Sequence, residues 1–274
     1  ARLARPPLRD QGAKMAERRW QPWRPGETRK LEGVDPVVGH RGAKTHAPEN
    51  TLVSIRRARE LGCRWVELDV KLSRDGVPVL IHDERLERTT NGRGEVRDFG
   101  FEELRRLDAG GWKGAEFAGT PIPTLAEALA LLVEQDMDLN LEIKPCPGHE
   151  AETAAVACAE IRRHWPEGRQ LPLLSSFALA SLEAARDTAP ELPRGYLVEA
   201  IPPDWRQTMQ RLDCVALHAG HRQNSDWAMA AVAREGVPLL VYTVNDPERA
   251  RTLFGLGAAA VFSDSPDLIW PVVQ

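Results

Sequence analysis

From residue 36 onward, short β-rich runs alternate with helical stretches, and this alternation limits the possible folds more than any other feature of the chain. The β-rich runs fall at 36–39, 66–70, 139–143, 173–176, 196–198, 215–217, 239–243 and 260–262. Helical patterns lie near 48–61, 150–165, 178–188, 205–212, 225–235 and 247–256. Eight β units separated by helices or long connections predict an α/β fold, a closed (β/α)8 TIM barrel. A length of 274 residues suits one such domain. An open, doubly wound sheet would need a glycine-rich phosphate turn after its first strand, and HRGAKTHAPENT is not one.

A ninth β-rich run, 77–81, cannot be another barrel strand. A parallel crossover needs about a dozen residues, and the link from Lys71 to Val77 is far shorter. The run is therefore predicted to fold back as a hairpin arm. Asp75-Gly76 is read as its two-residue turn, which places Asp69 opposite His82. Glu67 and Asp69 alternate with Val66, Leu68 and Val70, so both carboxylates share one face. The segment 84–123 interrupts the alternation and is rich in Gly, Arg, Thr and Asp. It is expected to form a lid or subdomain, with a short helix over 101–107. Trp112 and Phe117 either line a pocket or pack onto the barrel. Thr124 and Glu127 have the spacing of a capping box that restarts the helices.

Residues 1–35 hold nine Lys or Arg against five acids, so the overall charge of −4 leaves an acidic remainder. We expect this stretch to be a loose, Pro-interrupted leader, with Met15 as a candidate natural start. It has no apolar h-region of the secretory kind. No run approaches the ~20 apolar residues of a membrane span. The acidic body argues against nucleic acid as a partner. The four cysteines (63, 146, 158 and 214) form no CxxC pair, which points to a reducing, cytoplasmic setting.

Barrel sites are built where strands end. The strand ends here carry His40 with Arg41, Glu67 with Asp69, Glu142 with Lys144, His218 and Asn245, while 77–81 delivers His82. Charge facing a barrel interior is costly unless it is paired or bound to a metal. Three converging carboxylates would call for a divalent cation, and oxygen ligation favours Mg²⁺, Ca²⁺ or Mn²⁺ over zinc. Arg41 and Lys144 suit phosphate oxygens. His149 and His164 are read as surface residues, His46 is unassigned, and only one of His218 and His221 need face inward.

HRG with APENT, then ELDVKLSRDGVPVLIHD, LERTTNG, IPTLAEAL, LEIK and YTVN, resemble the glycerophosphodiester phosphodiesterase family from about residue 36 to 267. LLSSF, APELPRG and ALHAGH resemble its bacterial cytosolic members, the type linked to glycerol-3-phosphate uptake. The resemblance implies metal-dependent hydrolysis of glycerophosphodiesters to sn-glycerol 3-phosphate and an alcohol. By position it assigns His40 and His82 as the acid/base pair and Glu67, Asp69 and Glu142 as metal ligands. Arg41, Lys144 and His218 become substrate contacts. A lysophospholipase D-like hydrolase and a non-catalytic phosphodiester-binding barrel are the competing readings.

Overall fold

Eight parallel strands close on themselves in the computed structural model, which describes residues 20–273. In chain order the elements are β1 (Val37–His40), α1 (Leu52–Glu60), β2 (Trp65–Leu72), β3 (Pro78–Leu80), α2 (Phe101–Leu104), α3 (Leu125–Glu134), β4 (Asp138–Ile143), α4 (Glu150–His164) and β5 (Leu173–Ser176). There follow α5 (Leu179–Thr188), β6 (Arg194–Val198), α6 (Trp205–Arg211), β7 (Cys214–Gly220), α7 (Asp226–Arg234), β8 (Leu239–Tyr242), α8 (Pro247–Gly255), β9 (Ala260–Ser263) and α9 (Pro266–Ile269). The sheet runs β1–β9–β8–β7–β6–β5–β4–β2, and a β1–β2 pairing closes it into a (β/α)8 TIM barrel.

The two-residue period sorts side chains between two environments. Val66, Leu68 and Val70 of β2 and Leu139, Leu141 and Ile143 of β4 point outward, where they pack with Ile55, Leu129 and Ala154 of the helices. Burying each such aliphatic side chain contributes roughly 1.5–3 kcal/mol. The alternate residues point inward. Val38, Trp65, Leu173, Leu240 and Phe262 fill the lower interior. The helix restart behaves as its spacing predicts. Thr124 Oγ1 accepts from Glu127 N at 3.2 Å, and Glu127 Oε2 accepts from Thr124 N at 2.8 Å.

The leader differs from expectation over residues 20–35, which pack against the barrel where its strands begin. Trp23 is fully buried; its N donates to Cys214 O at 2.9 Å and its Nε1 to Glu235 O at 3.2 Å. Trp20 stacks on Trp65 with centroids 5.8 Å apart, and Trp65 Nε1 donates to Gly33 O at 2.8 Å. Tryptophan burial on this scale outweighs the local looseness that prolines and charge suggest. The leader's first nineteen residues, Met15 among them, lie outside the described residues.

The hairpin forms, but one residue out of the expected register. Val70 pairs with Leu80, Lys71 with Val79 and Leu72 with Pro78. The loop holds Arg74, Asp75 and Gly76 between Ser73 and Val77, whose backbones bond at 3.0 Å. Gly76 sits at φ +78°, the left-handed residue that a three-residue loop requires. Continued outward, this register would set Asp69 against Ile81. His82 instead lies just past β3, outside the ladder.

The 84–123 insert has a small core of its own: Leu86, Val96, Leu104, Ala109 and Ile122 pack on Val79 and Ile81. Its helix is one turn, Phe101–Leu104, shorter than the predicted 101–107.

Candidate active site

Strand register brings the expected carboxylates together. His40 of β1 lies beside Glu67 of β2, and Asp69 of β2 beside Glu142 of β4. Glu67, Asp69 and Glu142 each offer an oxygen, all within 4.8 Å of one another. All three residues are buried. Burial, then repulsion from Asp69 and Glu142, pushes Glu67 well above the usual carboxylate range. Burial and Asp69 push Glu142 up to about 7, with Lys144 opposing. Burial acts most strongly on Asp69 as well, but Arg41, His82, Lys144 and the Asn50 hydrogen bond together outweigh it and hold that carboxylate below its ordinary value. Glu67 Oε1 and Asp69 Oδ1 are buried without a hydrogen-bond partner among the described residues. A buried acceptor in that state is costly. Converging, unsatisfied oxygens of this kind suit a hard divalent cation, and these three residues could hold one.

Each of the two expected histidines is oriented by an aspartate. His40 Nδ1 lies 2.6 Å from Asp264 Oδ1, and its Nε2 faces Glu67 Oε2 at 3.8 Å. Asp264 is held in turn by Asn245, whose Nδ2 donates to Oδ2 at 2.9 Å. His82 Nδ1 lies 2.6 Å from Asp83 Oδ1. Both aspartates are ionised: burial is the largest single effect on each, but hydrogen bonds and neighbouring positive charge together outweigh it and hold them below their ordinary range. An ionised carboxylate only accepts, so each Nδ1 carries a proton and each Nε2 is left as the reactive nitrogen. Burial lowers both imidazoles, His82 to about 4. His82 lines the same cavity as Glu142 and Lys144, although the hairpin does not pair it with Asp69.

Arg41 and Gly42 both turn left-handed (φ 51° and 87°), which carries the chain from β1 across the site. Arg41 is largely buried: its Nη1 donates to Glu49 Oε1 at 2.7 Å and its Nε faces Asp69 Oδ2 at 3.3 Å. Asn50 also braces Asp69, with Nδ2 donating to Oδ2 at 2.7 Å. Lys144 Nζ donates to Glu142 Oε1 at 2.9 Å, as a shared strand face requires. A cavity of about 590 Å³ opens beside this group; Lys71, His82, Asp83, Glu84, Arg85, Glu142, Lys144 and Phe177 are among the residues that line it, whereas His40, Arg41, Glu67 and Asp69 lie behind its wall. Trp112 and Phe117 do not line it. Asp264, Asp83, Asn50 and the Glu49–Arg88 pair were not singled out from the sequence. Asp264 had a signal, since it continues the inward period of Ala260 and Phe262. Glu49 and Asn50 lie within APENT, Asp83 ends ELDVKLSRDGVPVLIHD and Arg88 stands in LERTTNG.

His218 does not reach the cavity. It points inward as its strand period predicts, but it packs against Phe262, one inward position below Asp264, and is 1% exposed. A Cβ on Gly195 would come within 2.4 Å of its Nε2, so that glycine makes the space it fills. His46 pairs with Asp267 at 2.8 Å and His221 contacts Thr243 O at 3.0 Å. Burial pushes His218 down to about 3. The unfolded state therefore binds a proton near pH 6.5 that the folded state refuses until about pH 3. Stability is lost as pH falls through that window, by about 4–5 kcal/mol at its foot given 1.36 kcal/mol per pKa unit. Urea unfolding of His218→Gln should show a correspondingly flatter dependence between pH 6.5 and 3. Equal slopes for variant and parent would contradict it.

Residues 40–268 match the glycerophosphoryl diester phosphodiesterase family. The chain belongs to this family. A glycerophosphodiester phosphodiesterase of Caldanaerobacter subterraneus subsp. tengcongensis is 35% identical over 87% of this chain and 97% of its own. A solved structure of an Oleispira antarctica phosphodiesterase, in complex with the product sn-glycerol-3-phosphate, is 42% identical. It covers 88% of this chain and 97% of its own, with TM-score 0.85. A glycerophosphodiester phosphodiesterase structure from Agrobacterium tumefaciens is 28% identical with TM-score 0.69, covering 88% of this chain and all of its own. The chain is thus a phosphodiesterase of the glycerophosphodiester class. No helix among the described residues is long and apolar enough to cross a membrane.

Proposed function

We propose that the enzyme hydrolyses glycerophosphodiesters to sn-glycerol 3-phosphate and an alcohol, with His40 and His82 as the two proton carriers. The observation that carries this is the pair of Asp-oriented histidines beside three buried carboxylates. Glu67, Asp69 and Glu142 would hold one divalent cation, Mg²⁺ or Ca²⁺ with Mn²⁺ also suited. When bound, such an ion supplies positive charge for the phosphate and lowers the pKa of a coordinated hydroxyl. Lys144, on the cavity wall, and Arg41, beside Asp69, contact phosphate oxygens.

In the first step one histidine takes the proton of the glycerol 2-hydroxyl as that oxygen bonds to phosphorus. The bond from phosphorus to the alcohol breaks, and the other histidine protonates the departing oxygen. A cyclic phosphate results. Water then bonds to phosphorus, the ring bond to the 2-oxygen breaks, and the histidines exchange roles. The cavity side chains Asp83, Glu84, Arg85 and Lys71 are charged, which favours a small polar alcohol over an acyl chain. We assign the catalytic barrel to residues 36–274 with 84–123 as its insertion. The cysteines of the barrel are free and buried, in keeping with a cytoplasmic setting.

A substrate lacking the glycerol 2-hydroxyl tests the cyclic route. Losing a preorganised internal nucleophile should slow cleavage by roughly 10²-fold or more. An undiminished rate would rule the cyclic phosphate out.

A further inference from the structure

The two histidine–aspartate pairs are anchored differently. Asp264 is fixed from within the barrel, by Asn245 following β8. Asp83 follows β3, outside the closed barrel, and its anchor comes from the insert. Arg88 Nε donates to Asp83 Oδ2 at 2.5 Å and its Nη2 to Asp83 Oδ1 at 3.0 Å. The same guanidinium reaches the other way. Its Nη1 donates to Glu49 Oε2 and its Nη2 to Glu49 Oε1, both at 2.8 Å. Glu49 is itself buried, and its Oε1 also accepts from Arg41 Nη1 at 2.7 Å. The result is an alternating acid–base chain, Asp69–Arg41–Glu49–Arg88–Asp83–His82, that joins the carboxylate cluster to a histidine held on a different segment.

We propose that Arg88 is a positioning residue: by gripping Asp83 and Glu49 at once, it fixes His82 relative to Arg41 and the bound phosphate. This rests on the proton-carrying role given to His82 above. The geometry demands arginine. Two carboxylates are met by one planar fork, each by two N–H groups, and a lysine ammonium has no such plane. An ordinary half-exposed ion pair contributes little. Here, however, removing Arg88 leaves Asp83 free to swing and strips buried Glu49 of two of its three donors. The insert thereby gains a catalytic purpose: its first turn sets the angle of an imidazole to which it contributes no atom.

The test is a double-mutant cycle of Arg88→Ala with His82→Gln, read by steady-state kinetics on glycerophosphocholine with divalent cation. Displacing His82 by about 1 Å should cost kcat roughly 10²-fold in Arg88→Ala. KM should move by less than about threefold, because ground-state binding is not what the residue supplies. Arg88→Lys should be nearly as impaired, and added guanidinium ion should restore part of the rate to Arg88→Ala. In the His82→Gln background, Arg88→Ala should cost less than about threefold more, since it acts through that histidine. Should Arg88→Ala fail to fold, Arg88→Lys takes its place in the cycle. A wild-type kcat in both arginine variants, with His82→Gln crippled, would overturn the proposal and leave the histidine reading standing. So would an undiminished arginine effect in the His82→Gln background. Full activity of His82→Gln itself would remove the histidine reading and the proposal with it.

Discussion

His82→Gln and His40→Gln should each lower kcat on a glycerophosphodiester by roughly 10²–10⁴-fold, the usual worth of a positioned acid or base. The reason lies at Nδ1. Asp264 and Asp83 each hold that nitrogen at 2.6 Å, so each ring is left with a single free nitrogen, Nε2. Glutamine keeps similar polarity and volume but cannot exchange a proton near neutral pH. KM should therefore change little while kcat collapses, the signature of an interaction made in the transition state. The double variant should lose less than the product of the two single losses, because the proton carriers act as a unit. Unchanged thermal midpoints would show that the loss is chemical. A histidine variant with near-normal kcat would exclude that ring from proton transfer.

Glu67→Gln and Asp69→Asn should abolish both activity and cation-dependent stabilisation if the three carboxylates hold the proposed cation. In the cation-free protein burial, and after it repulsion among the carboxylates, raises Glu67 and Glu142. Wild type should gain about 2.7 kcal/mol of stability when Mg²⁺ or Ca²⁺ is supplied at a hundred times its dissociation constant. The amide variants should gain little of this. Excess chelator should bring wild-type activity down to that of the variants. Full activity in chelator, from protein shown to hold no metal, would remove the cation from the proposed function.

Why was so much of this legible beforehand? The inward–outward alternation of Val66–Val70 and Leu139–Ile143 survives folding almost unaltered, because a barrel strand is covered on both sides and offers no third environment. That periodicity alone put Glu67, Asp69 and Glu142 on the interior. It does not give the height of a residue along the barrel: His218, for which the resemblance implies a substrate contact, lies a layer lower, against Phe262. The hairpin slipped by one residue because Asp-Gly serves both two-residue and three-residue loops. Only the Ser73–Val77 backbone pair decides between them. Residues that act by holding others were the least visible. Asp264, Glu49 and Arg88 come from three separated segments, and each meets its partners only once the fold has closed. The same holds for Trp20 and Trp23, which look like decoration on a charged leader until Trp65 and Trp205 are brought beneath them.

The most direct measurement follows glycerophosphocholine and the purified enzyme by phosphorus NMR in the presence of Mg²⁺ or Ca²⁺. Cleavage on the alcohol side of phosphorus should convert the diester signal to that of sn-glycerol 3-phosphate, with choline released in equal amount and a cyclic phosphate as the transient species. Release of phosphocholine and glycerol, or persistence of the diester while lysophosphatidylcholine is cleaved, would contradict the assignment.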